Sequence, residues 1–320
     1  MIYLFLLVLS FALTYFIKNY AMKKSLVDIP NDRSSHSVPT PHGGGIAIAV
    51  AWFSGISYLY YMGDINEPLY FSLMVGLLLS SVSYVDDLFE LSSKLRLVVQ
   101  ASVSMVGLYF LGGINELDFF FFSIENQLFT NIFSFFLIIW FINLYNFLDG
   151  INGYAGSEAL FLLVAGFILF GDAHFLVLAV AVLGFLYWNF GDAKIFMGDV
   201  GSTLLGYNVA IFTLYYTNQD TGNFWIWIIL FGVFVFDGTW TLFRRAIARE
   251  KLSLAHKKHA YQRLTQSGYS HTKVVLLATL INCFLFCMLL FMSNLFMSFL
   301  IAVIVLYIIV KFVDTKKGFQ

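Results

Sequence analysis

Two adjacent aspartates, Asp86 and Asp87, end a long apolar run in the stretch SVSYVDDLFELSSKLR, residues 81–96. Carboxylates this close repel one another, so each raises the pKa of its neighbour unless a cation or a hydrogen-bond donor intervenes. A divalent metal ion, or a basic group such as Lys94, would relieve the repulsion. The alternative is a pair of solvated helix caps, since Asp is common at cap positions.

A second polar stretch, NLYNFLDGING (143–153), places Asn143, Asn146 and Asp149 three residues apart. On a helix, positions i, i+3 and i+6 lie along one side, and the glycines that follow let the backbone approach a ligand closely. A loop of ordinary turn residues is the alternative interpretation. Three spaced polar groups at the mouth of an apolar run favour a binding site instead.

The stretch FMGDVGS (196–202) predicts a turn into a helix, with Asp199 just before the helix begins. Asp199 could be a simple cap. As a metal ligand it would lie beside amide N–H groups that hold phosphate readily, and Mg²⁺ takes oxygen ligands and commonly binds substrate phosphates. The carboxylates of the other two stretches strengthen the metal interpretation.

A basic stretch, REKLSLAHKKHAYQRL (249–264), contains His256, His259 and Arg263 at helical spacing. On one helical face these side chains would present three hydrogen-bond donors to phosphate oxygens. Much of the remaining positive charge suits an anchor near anionic lipid. A zinc site has little support, because the two histidines lack an evident third ligand.

The composition indicates what must position these groups. Of 320 residues, 60% are hydrophobic and only 12% are charged, against roughly 25% charged in a soluble domain. A membrane span needs about 20 mainly apolar residues. Eleven runs fit this pattern, at approximately 1–17, 44–62, 69–85, 95–112, 128–145, 157–171, 174–190, 202–217, 223–242, 273–292 and 295–312. We therefore predict an all-α, polytopic integral membrane protein in which residues 1–320 form a single domain.

The basic residues predict the topology. If the eleven runs alternate in direction, all 18 lysines and arginines fall on one side, which the positive-inside rule makes cytoplasmic. The N-terminus would then lie outside and the C-terminus in the cytoplasm. The polar stretches all lie in loops on the cytoplasmic side, at 18–43, 86–94, 146–156, 191–201 and 243–272. Five loops that face one compartment can form one active site.

The chemistry of these loops indicates phosphoryl transfer at a membrane surface, since they combine carboxylates and amides for a hard metal ion with Lys, Arg and His for phosphate. The competing hypothesis is an ion-coupled transporter, in which the carboxylates would carry protons or ions. Transporters tend to have broken helices, internal repeats and charge near the membrane midplane. Here the charges cluster at one face, no repeat is evident and none of the four prolines interrupts a run, which disfavours transport.

Four motifs in order carry a resemblance that covers nearly the whole chain. They are DDLFE with KLRLVVQ, NLYNFLDGINGYAG, NFGDAKIFMGDVGS, and AHKKHAYQRL followed by GYSHTKV. At these residues the chain resembles the polyprenyl-phosphate N-acetylhexosamine-1-phosphate transferases of glycosyl transferase family 4, and is most similar to their O-antigen-initiating branch.

The resemblance implies a reaction and its participants. Undecaprenyl phosphate would attack the β-phosphorus of a UDP-N-acetylhexosamine, giving a lipid diphosphate sugar and UMP and initiating a cell-envelope polysaccharide. The cofactor would be Mg²⁺, with Mn²⁺ as an alternative, and the enzyme would reside in the bacterial cytoplasmic membrane among membrane lipid. No nucleic acid partner is expected, and a homodimer is compatible with the family.

The resemblance also implies roles for individual residues. Asp199 would be a metal ligand, with Asn146 as the second ligand. Asp86 and Asp87 would stand beside the lipid phosphate, one of them accepting its proton, and Asp149 would belong to the same catalytic group.

On the substrate side, Asn189 and Phe196 would hold the uridine, with the Phe196 ring stacked on uracil. Four further side chains would neutralise the diphosphate: Lys94, His256, His259 and Arg263. Two positions depart from the family pattern. Asn152 stands where a second aspartate is usual, and His42 stands before the glycines where many members have a basic residue. The roles of these two positions are therefore not carried over.

Overall fold

The computed structural model describes residues 1–24, 27–28, 38–252, 254 and 256–319. In these residues the chain forms fourteen α-helices and two short antiparallel strand pairs. The helices are α1 Ile2–Lys23, α2 Gly45–Met62, α3 Glu67–Met74, α4 Gly76–Phe89, α5 Ser93–Leu111, α6 Gln127–Phe147, α7 Tyr154–Phe170, α8 Ala173–Asn189, α9 Asp199–Thr217, α10 Gly222–Leu230, α11 Gly232–Ile247, α12 Ala260–Gln266, α13 His271–Phe291 and α14 Leu295–Lys316. The strands are β1 Val27–Asp28, β2 Thr40–Pro41, β3 Leu117–Asp118 and β4 Ser123–Ile124, with β1 pairing to β2 and β3 to β4.

Each of the eleven predicted apolar runs coincides with a helix or a pair of consecutive helices. Within the described residues, seven helical segments are long and apolar enough to cross a membrane, and the bent pair α10–α11 makes an eighth candidate. Helices α7 and α8 are apolar but shorter, at 17 residues each. The prediction of an all-α, polytopic membrane protein is confirmed, while the crossing of all eleven segments stays a prediction.

Helix α9 is the central element of the bundle. All of its residues are buried except Asp199 and Tyr215, and it packs against α2, α4 and α6. Because protein surrounds α9, its surface tolerates polar residues that a lipid-facing helix would not carry. Asp199, at its first position, is thereby placed at one end of the bundle, which we call the cavity end.

The N-termini of α2 and α9 meet at the cavity end. A Cβ atom on Gly45 would lie 2.2 Å from the backbone nitrogen of Gly201, so only glycine permits this approach. The backbone N–H of Gly44 donates to the carbonyl of Phe196 at 2.9 Å, and that of Gly45 donates to Met197 at 2.8 Å. These bonds attach the loop before α2 to the loop that carries Asp199.

The ninth predicted run is divided in the structure. Helices α10 and α11 meet at an angle of 78°, with Phe231 and Gly232 at the break. The absence of proline led the sequence to predict a continuous segment over 223–242, but a sharp bend at a glycine needs no proline. Asp237 on α11 then accepts hydrogen bonds from the backbone N–H groups of Ala260 and Tyr261, at 2.7 and 3.3 Å, which attaches α12 to α11.

Candidate active site

A large cavity of about 1010 Å³ lies at the cavity end, where the loops before α2, after α4, after α6 and before α9 converge. Its wall carries many polar side chains: Asp28, His42, Asp86, Asp87, Glu90, Arg96, Asn146, Asp149, Asn152, Asn189, Asp199, Gln262 and His271. We call it the polar cavity. Four of the loops predicted from the sequence to form one site contribute to it, together with α12 from the fifth.

A second cavity, of about 480 Å³, adjoins the first. One part of its wall is apolar, from Leu79, Val82, Leu97, Val99, Leu242, Leu252 and Leu254, and we call it the apolar-walled cavity. The two cavities share five lining residues: Asp86, Arg96, Asn146, Asp199 and Gln262. A polar ligand in one cavity and an amphipathic ligand in the other would therefore meet at the same side chains.

Asp87 offers an unsatisfied carboxylate oxygen at this site. Its Oδ1 accepts a hydrogen bond from the backbone N–H of Asp199 at 3.2 Å. Its Oδ2 is buried and has no hydrogen-bond partner among the described residues. Gly198, with φ of 74°, turns the chain toward Asp87, and a Cβ there would lie 2.8 Å from that same Oδ2. Burying a carboxylate oxygen costs free energy unless a ligand or a cation binds it or a proton neutralises it.

Asp86 has a different environment from Asp87. Its Oδ1 accepts from the backbone N–H of Leu91 at 2.7 Å, which closes the turn after α4. Its Oδ2 lies 3.4 Å from a guanidinium nitrogen of Arg96. It is also close enough to Asp199 for a hydrogen bond between the two side chains. The adjacent pair thus divides into a partnered Asp86 and an open Asp87.

The two predicted metal ligands are in direct contact. The Asn146 amide nitrogen donates to Asp199 Oδ1 at 2.8 Å and to Ser202 Oγ at 3.0 Å. Because the amide nitrogen of Asn146 already makes these two hydrogen bonds, its amide oxygen is the atom that could coordinate a cation. The last turn of α6 and the first turn of α9 provide these groups, because the two helices pack together.

Asp149 lies in the loop between α6 and α7 and lines the polar cavity. Burial, followed by the negative charges of Asp199 and Asp87, raises the pKa of its carboxyl to about 7. A carboxyl with a pKa near 7 exchanges a proton readily at neutral pH, as a general base must. Asp149 is therefore suited to a proton-transfer role in this cavity.

The donor set of the polar cavity fits a hard divalent cation. Asp87, Asp199 and Asn146 supply oxygen atoms, the ligand type that Mg²⁺ prefers. The buried, unpartnered Oδ2 of Asp87 is the specific observation in favour of a cation. In the described parts of the chain, no three His, Cys, Asp or Glu side chains are arranged so that they could hold a metal ion by themselves; the set here is two carboxylates and one amide.

Asn189 and Phe196, the predicted uridine contacts, both line the polar cavity. Asn189 is buried, and its side chain already bonds backbone on two sides: Oδ1 accepts from the Gly153 N–H and Nδ2 donates to the Ile195 carbonyl, each at 2.9 Å. It therefore joins the two loops that form the wall. The Phe196 backbone donates to the Pro41 carbonyl at 2.8 Å, which attaches this residue to strand β2.

Two of the four side chains predicted to neutralise the diphosphate lie elsewhere. Lys94 is exposed and lines neither cavity, and the basic group facing Asp86 is Arg96, two residues further along α5. Arg263 is buried outside both cavities, where it donates to Asp314 at 2.5 Å. Sequence spacing alone could not reveal these placements. The direction in which α5 turns each side chain decides that Arg96, and not Lys94, faces Asp86, and the partner of Arg263 lies on the distant helix α14.

The other two predicted side chains, His256 and His259, line the apolar-walled cavity. Their rings are 4.8 Å apart. Burial and the neighbouring positive charges lower the pKa of His256 to about 4, so near pH 7 its ring can bond to a phosphate but brings no charge. His259 Nδ1 lies 3.5 Å from the Asp237 carboxylate.

Several site residues were missed or left open by the sequence. Arg96 and Gln262 line both cavities, and His42 and His271 line the polar one. Arg96 lies in the KLRLVVQ motif and could have been predicted from it as a site residue, whereas no motif or spacing in the sequence pointed to Gln262. Asn152 has a scaffolding contact, since its amide nitrogen donates to the Gly191 carbonyl at 2.7 Å.

Arg245 is 2% exposed and organises the loop that follows α11. It donates to Glu250 Oε2 at 3.0 Å. It also bonds three backbone carbonyls, those of Lys251, Leu252 and Leu254, at 2.8 to 3.3 Å. Leu252 and Leu254 form part of the apolar wall, so Arg245 shapes the second cavity.

The fold and the site together define a polytopic membrane protein with one acidic cavity at one end of its helical bundle. Comparison with known proteins identifies its class. The model of glycosyl transferase family 4 matches residues 69–217. The chain is also 31% identical over 294 residues to a probable undecaprenyl-phosphate N-acetylglucosaminyl 1-phosphate transferase of Bacillus subtilis (strain 168), covering 86% of this chain and 79% of that protein.

Similar enzymes from other bacteria show the same relationship. Undecaprenyl-phosphate alpha-N-acetylglucosaminyl 1-phosphate transferases are 28% identical in Thermotoga maritima, over 79% of this chain and 78% of that protein. The Escherichia coli (strain K12) enzyme is 29% identical, over 83% of this chain and 76% of that protein. The chain belongs to glycosyl transferase family 4.

Proposed function

We propose that this protein transfers N-acetylhexosamine 1-phosphate from a UDP-sugar to undecaprenyl phosphate. An oxygen of the lipid phosphate forms a bond to the β-phosphorus of the UDP-sugar. The bond from that phosphorus to the oxygen bridging the two phosphates breaks, and UMP leaves. The product is a lipid diphosphate sugar that starts a cell-envelope polysaccharide of the O-antigen type. The relatives' names make N-acetylglucosamine the first sugar to test.

The observation that supports this function best is the shared wall of the two cavities. The reaction joins a water-soluble nucleotide sugar to a lipid, so the enzyme must bring a polar and an amphipathic substrate to one point. The polar cavity suits the nucleotide sugar, and the apolar-walled cavity suits the lipid phosphate. Asp86, Arg96, Asn146, Asp199 and Gln262 line both and surround the point where the phosphates would meet.

The carboxylates then take distinct roles. Asp149, whose pKa is near 7, would accept the proton that a monoprotonated lipid phosphate loses. A phosphate monoester has a second pKa of about 6, so this demand is small near pH 7 and positioning matters more than basicity. Asp87 would present its open Oδ2 to a cation, while Asp86 would hold Arg96 toward the phosphates.

A magnesium ion would be held by Asp199 and the Asn146 amide oxygen, with Asp87 beside them. When bound, it would neutralise phosphate charge, which is the principal electrostatic task in phosphoryl transfer. Arg96, 3.4 Å from Asp86, adds a positive charge at the junction of the two cavities. Gln262 and neutral His256 add hydrogen-bond donors without further charge.

The direct test is an assay of membranes containing the protein with undecaprenyl phosphate, Mg²⁺ and a panel of radiolabelled UDP-sugars. We expect label in the lipid extract for one UDP-N-acetylhexosamine, dependence on Mg²⁺, and release of UMP in equal amount. The matched control is Asp87→Asn in the same membranes. No lipid-linked label from any sugar, with the protein present and folded, would contradict the proposal.

We propose that the cavity end faces the cytoplasm, where nucleotide sugars are made, and this can be tested by cysteine labelling. The exposed Cys283 and Cys287 are first replaced by alanine. A cysteine replacing the exposed Glu125, at the opposite end, should react with an impermeant thiol reagent in intact cells. A cysteine replacing Lys94 should react only after permeabilisation, and the reverse pattern would contradict the orientation.

The structure has one feature that the transporter hypothesis predicts, a broken helix at the junction of α10 and α11. A break of this kind has a simpler role here, because it places Asp237 against the N-terminus of α12. Membership of glycosyl transferase family 4 favours the transferase.

A further inference from the structure

Helix α12 carries site residues but is too short to hold its own position. It spans seven residues, Ala260–Gln266, between α11 and α13. Isolated helices shorter than about 12 residues are marginal in water. The placement of Gln262, which lines both cavities, therefore depends on the contacts that α12 makes with the rest of the protein.

One side of α12 is attached near the site itself. Asp237 on α11 accepts from the first two backbone N–H groups of the helix. The Tyr261 hydroxyl donates to the Phe147 carbonyl at the end of α6, at 3.1 Å. These contacts hold the N-terminal turn but leave the second half of the helix to other partners.

The second half is attached to the distant helix α14. Arg263 donates to Asp314 Oδ1 at 2.5 Å and to the Lys317 carbonyl at 3.0 Å. The same Asp314 oxygen accepts from Arg244, at the end of α11, at 2.8 Å. One carboxylate of α14 therefore connects this distant helix to both α11 and α12.

An aromatic ring completes this cluster. The Phe319 ring centroid lies 3.8 Å from the Arg244 guanidinium carbon, and 5.4 Å from that of Arg263. Lys258 is 5.5 Å from the same ring. Cations at this distance from an aromatic face are attracted to it. We call Asp314, Arg244, Arg263 and Phe319 the α14 clamp.

The clamp and the site use neighbouring residues of α12. Consecutive helical residues point about 100° apart, so Gln262 can face the cavities while Arg263 faces α14. Arg263 is 2% exposed, and its Nε has no partner among the described residues. Without Asp314, two guanidinium groups would face one another with no carboxylate between them. Arg263 would lose its bond to α14, and repulsion from Arg244 would push α12 away from the end of α11 and move Gln262.

We propose that Asp314 is a positioning residue for the transfer site, acting through Arg263 to hold Gln262 at the junction of the two cavities. The proposal rests on the proposed function for its kinetic consequences. Its structural consequence, an ordered α12, does not depend on the substrate. A small displacement of a substrate-contacting group can slow a reaction up to a hundredfold.

The kinetic test is a double-mutant cycle between Asp314→Ala and Gln262→Ala, with kcat and KM measured for the UDP-sugar. We expect Asp314→Ala to lower kcat/KM about tenfold in the natural background and to have little further effect when Gln262 is already alanine. Such non-additivity is the mark of two residues acting through one unit. Asp314→Glu should recover part of the loss. Thr315→Ala is the matched control, since Thr315 is exposed and bonds only the local Phe312 carbonyl.

The structural test is amide hydrogen exchange of the purified protein without substrates. We expect Asp314→Ala to speed exchange in residues 260–267 and to leave α9 unchanged. Fully additive effects in the cycle, or unchanged exchange in α12, would overturn the proposal. If the natural protein transferred no sugar, the proposed function would fail, but the exchange measurement would still decide whether Asp314 orders α12.

Discussion

The two ends of the central helix α9 each hold a buried polar cluster, and the clusters differ in one respect. At the end opposite the cavities, the Tyr216 hydroxyl donates to the Asp172 carboxylate and lies 3.2 Å from His174 Nε2. Asn223 adds a bond from its amide to the Tyr216 carbonyl at 3.0 Å. The carboxylate at this end is therefore partnered, although Nε1 of Trp227, whose ring packs near Tyr216, is buried without a partner among the described residues.

At the cavity end the polar groups do not complete one another. Asp87 keeps a buried oxygen without a partner among the described residues, and burial, followed by the nearby carboxylates, raises the pKa of Asp149 to about 7. Unpaired buried polar groups are costly, and proteins retain them mainly where a ligand completes them. Of these two clusters, the one that keeps a carboxylate oxygen without a partner is the one that lines the large polar cavity.

The strongest test of this comparison removes one charge from each end. Asp199→Asn and Asp87→Asn should each lower turnover on the order of 100-fold, because each removes a preorganised electrostatic contact. Asp172→Asn should change turnover less than twofold, since its partner groups can still bond to an amide. The measurement is the initial rate of lipid-linked sugar formation, normalised to the amount of protein in the membrane.

The dependence of turnover on Mg²⁺ concentration would show which of these carboxylates holds the ion. Raising the Mg²⁺ concentration should partly restore Asp199→Asn if this residue holds the ion. It should do less for Asp86→Asn, because Asp86 is partnered by Arg96. Near-normal turnover in both Asp199→Asn and Asp87→Asn would leave these carboxylates as helix caps and remove the contrast between the two ends.

The second prediction concerns pH. If Asp149 accepts a proton, kcat/KM should rise with pH through about 7, the pKa of its carboxyl in the folded protein. Asp149→Asn should lower the rate and abolish this acid limb of the profile. A profile that kept the same acid limb in Asp149→Asn would assign it to another group.

The same titration should affect stability with the opposite sign. The pKa of Asp149 is raised above its ordinary value of 3.8, so the folded state holds the proton more tightly than the unfolded state. Its contribution to stability is present below pH 3.8 and is lost as pH rises through about 7. In the substrate-free protein, Asp149→Asn should therefore reduce the decline in thermal stability across that interval.

A third prediction, of intermediate size, separates two basic residues of α5. Arg96→Gln should lower kcat/KM about tenfold, since Arg96 lies beside Asp86 and lines both cavities, and charge-assisted bonds to phosphate are the stronger kind. Lys94→Gln, which removes a charge two residues away on the exposed surface, should have little effect. Equal losses from the two variants would indicate a general field effect in place of a local contact.

The smallest effect on activity is expected at the opposite end of α9. Tyr216→Phe removes the hydroxyl that bonds the half-buried Asp172 carboxylate and lies beside the buried His174 ring, so both groups lose a partner. Losses of about 1–3 kcal/mol are typical of such changes, so thermal unfolding in detergent should occur at a lower temperature. Turnover per folded molecule should stay within twofold, and a large loss of turnover would mean that this end also serves the reaction.

The apolar runs and the polar stretches between them were enough to predict the helical framework and the polar loops at its ends. Runs of about 20 apolar residues specify helices in a membrane, because the backbone must satisfy its own hydrogen bonds there. The eleven runs therefore appeared as helices or helix pairs. Asp87, Asn146, Asp149 and Asp199 were singled out by residue type and spacing, since polar groups at the ends of apolar runs are conspicuous, and the structure places all four at the polar cavity.

Which of these groups have partners depends on how the helices pack, and the sequence pattern does not show it. Asp86 and Asp87 look alike in the sequence, yet the helical phase of α4 turns one toward Leu91 and Arg96 and the other toward Asp199. Arg263 has local spacing suited to phosphate, but a carboxylate from α14 binds it away from the cavities. Local patterns report which side chains can be charged, whereas their partners come from helices that meet only after the bundle has packed.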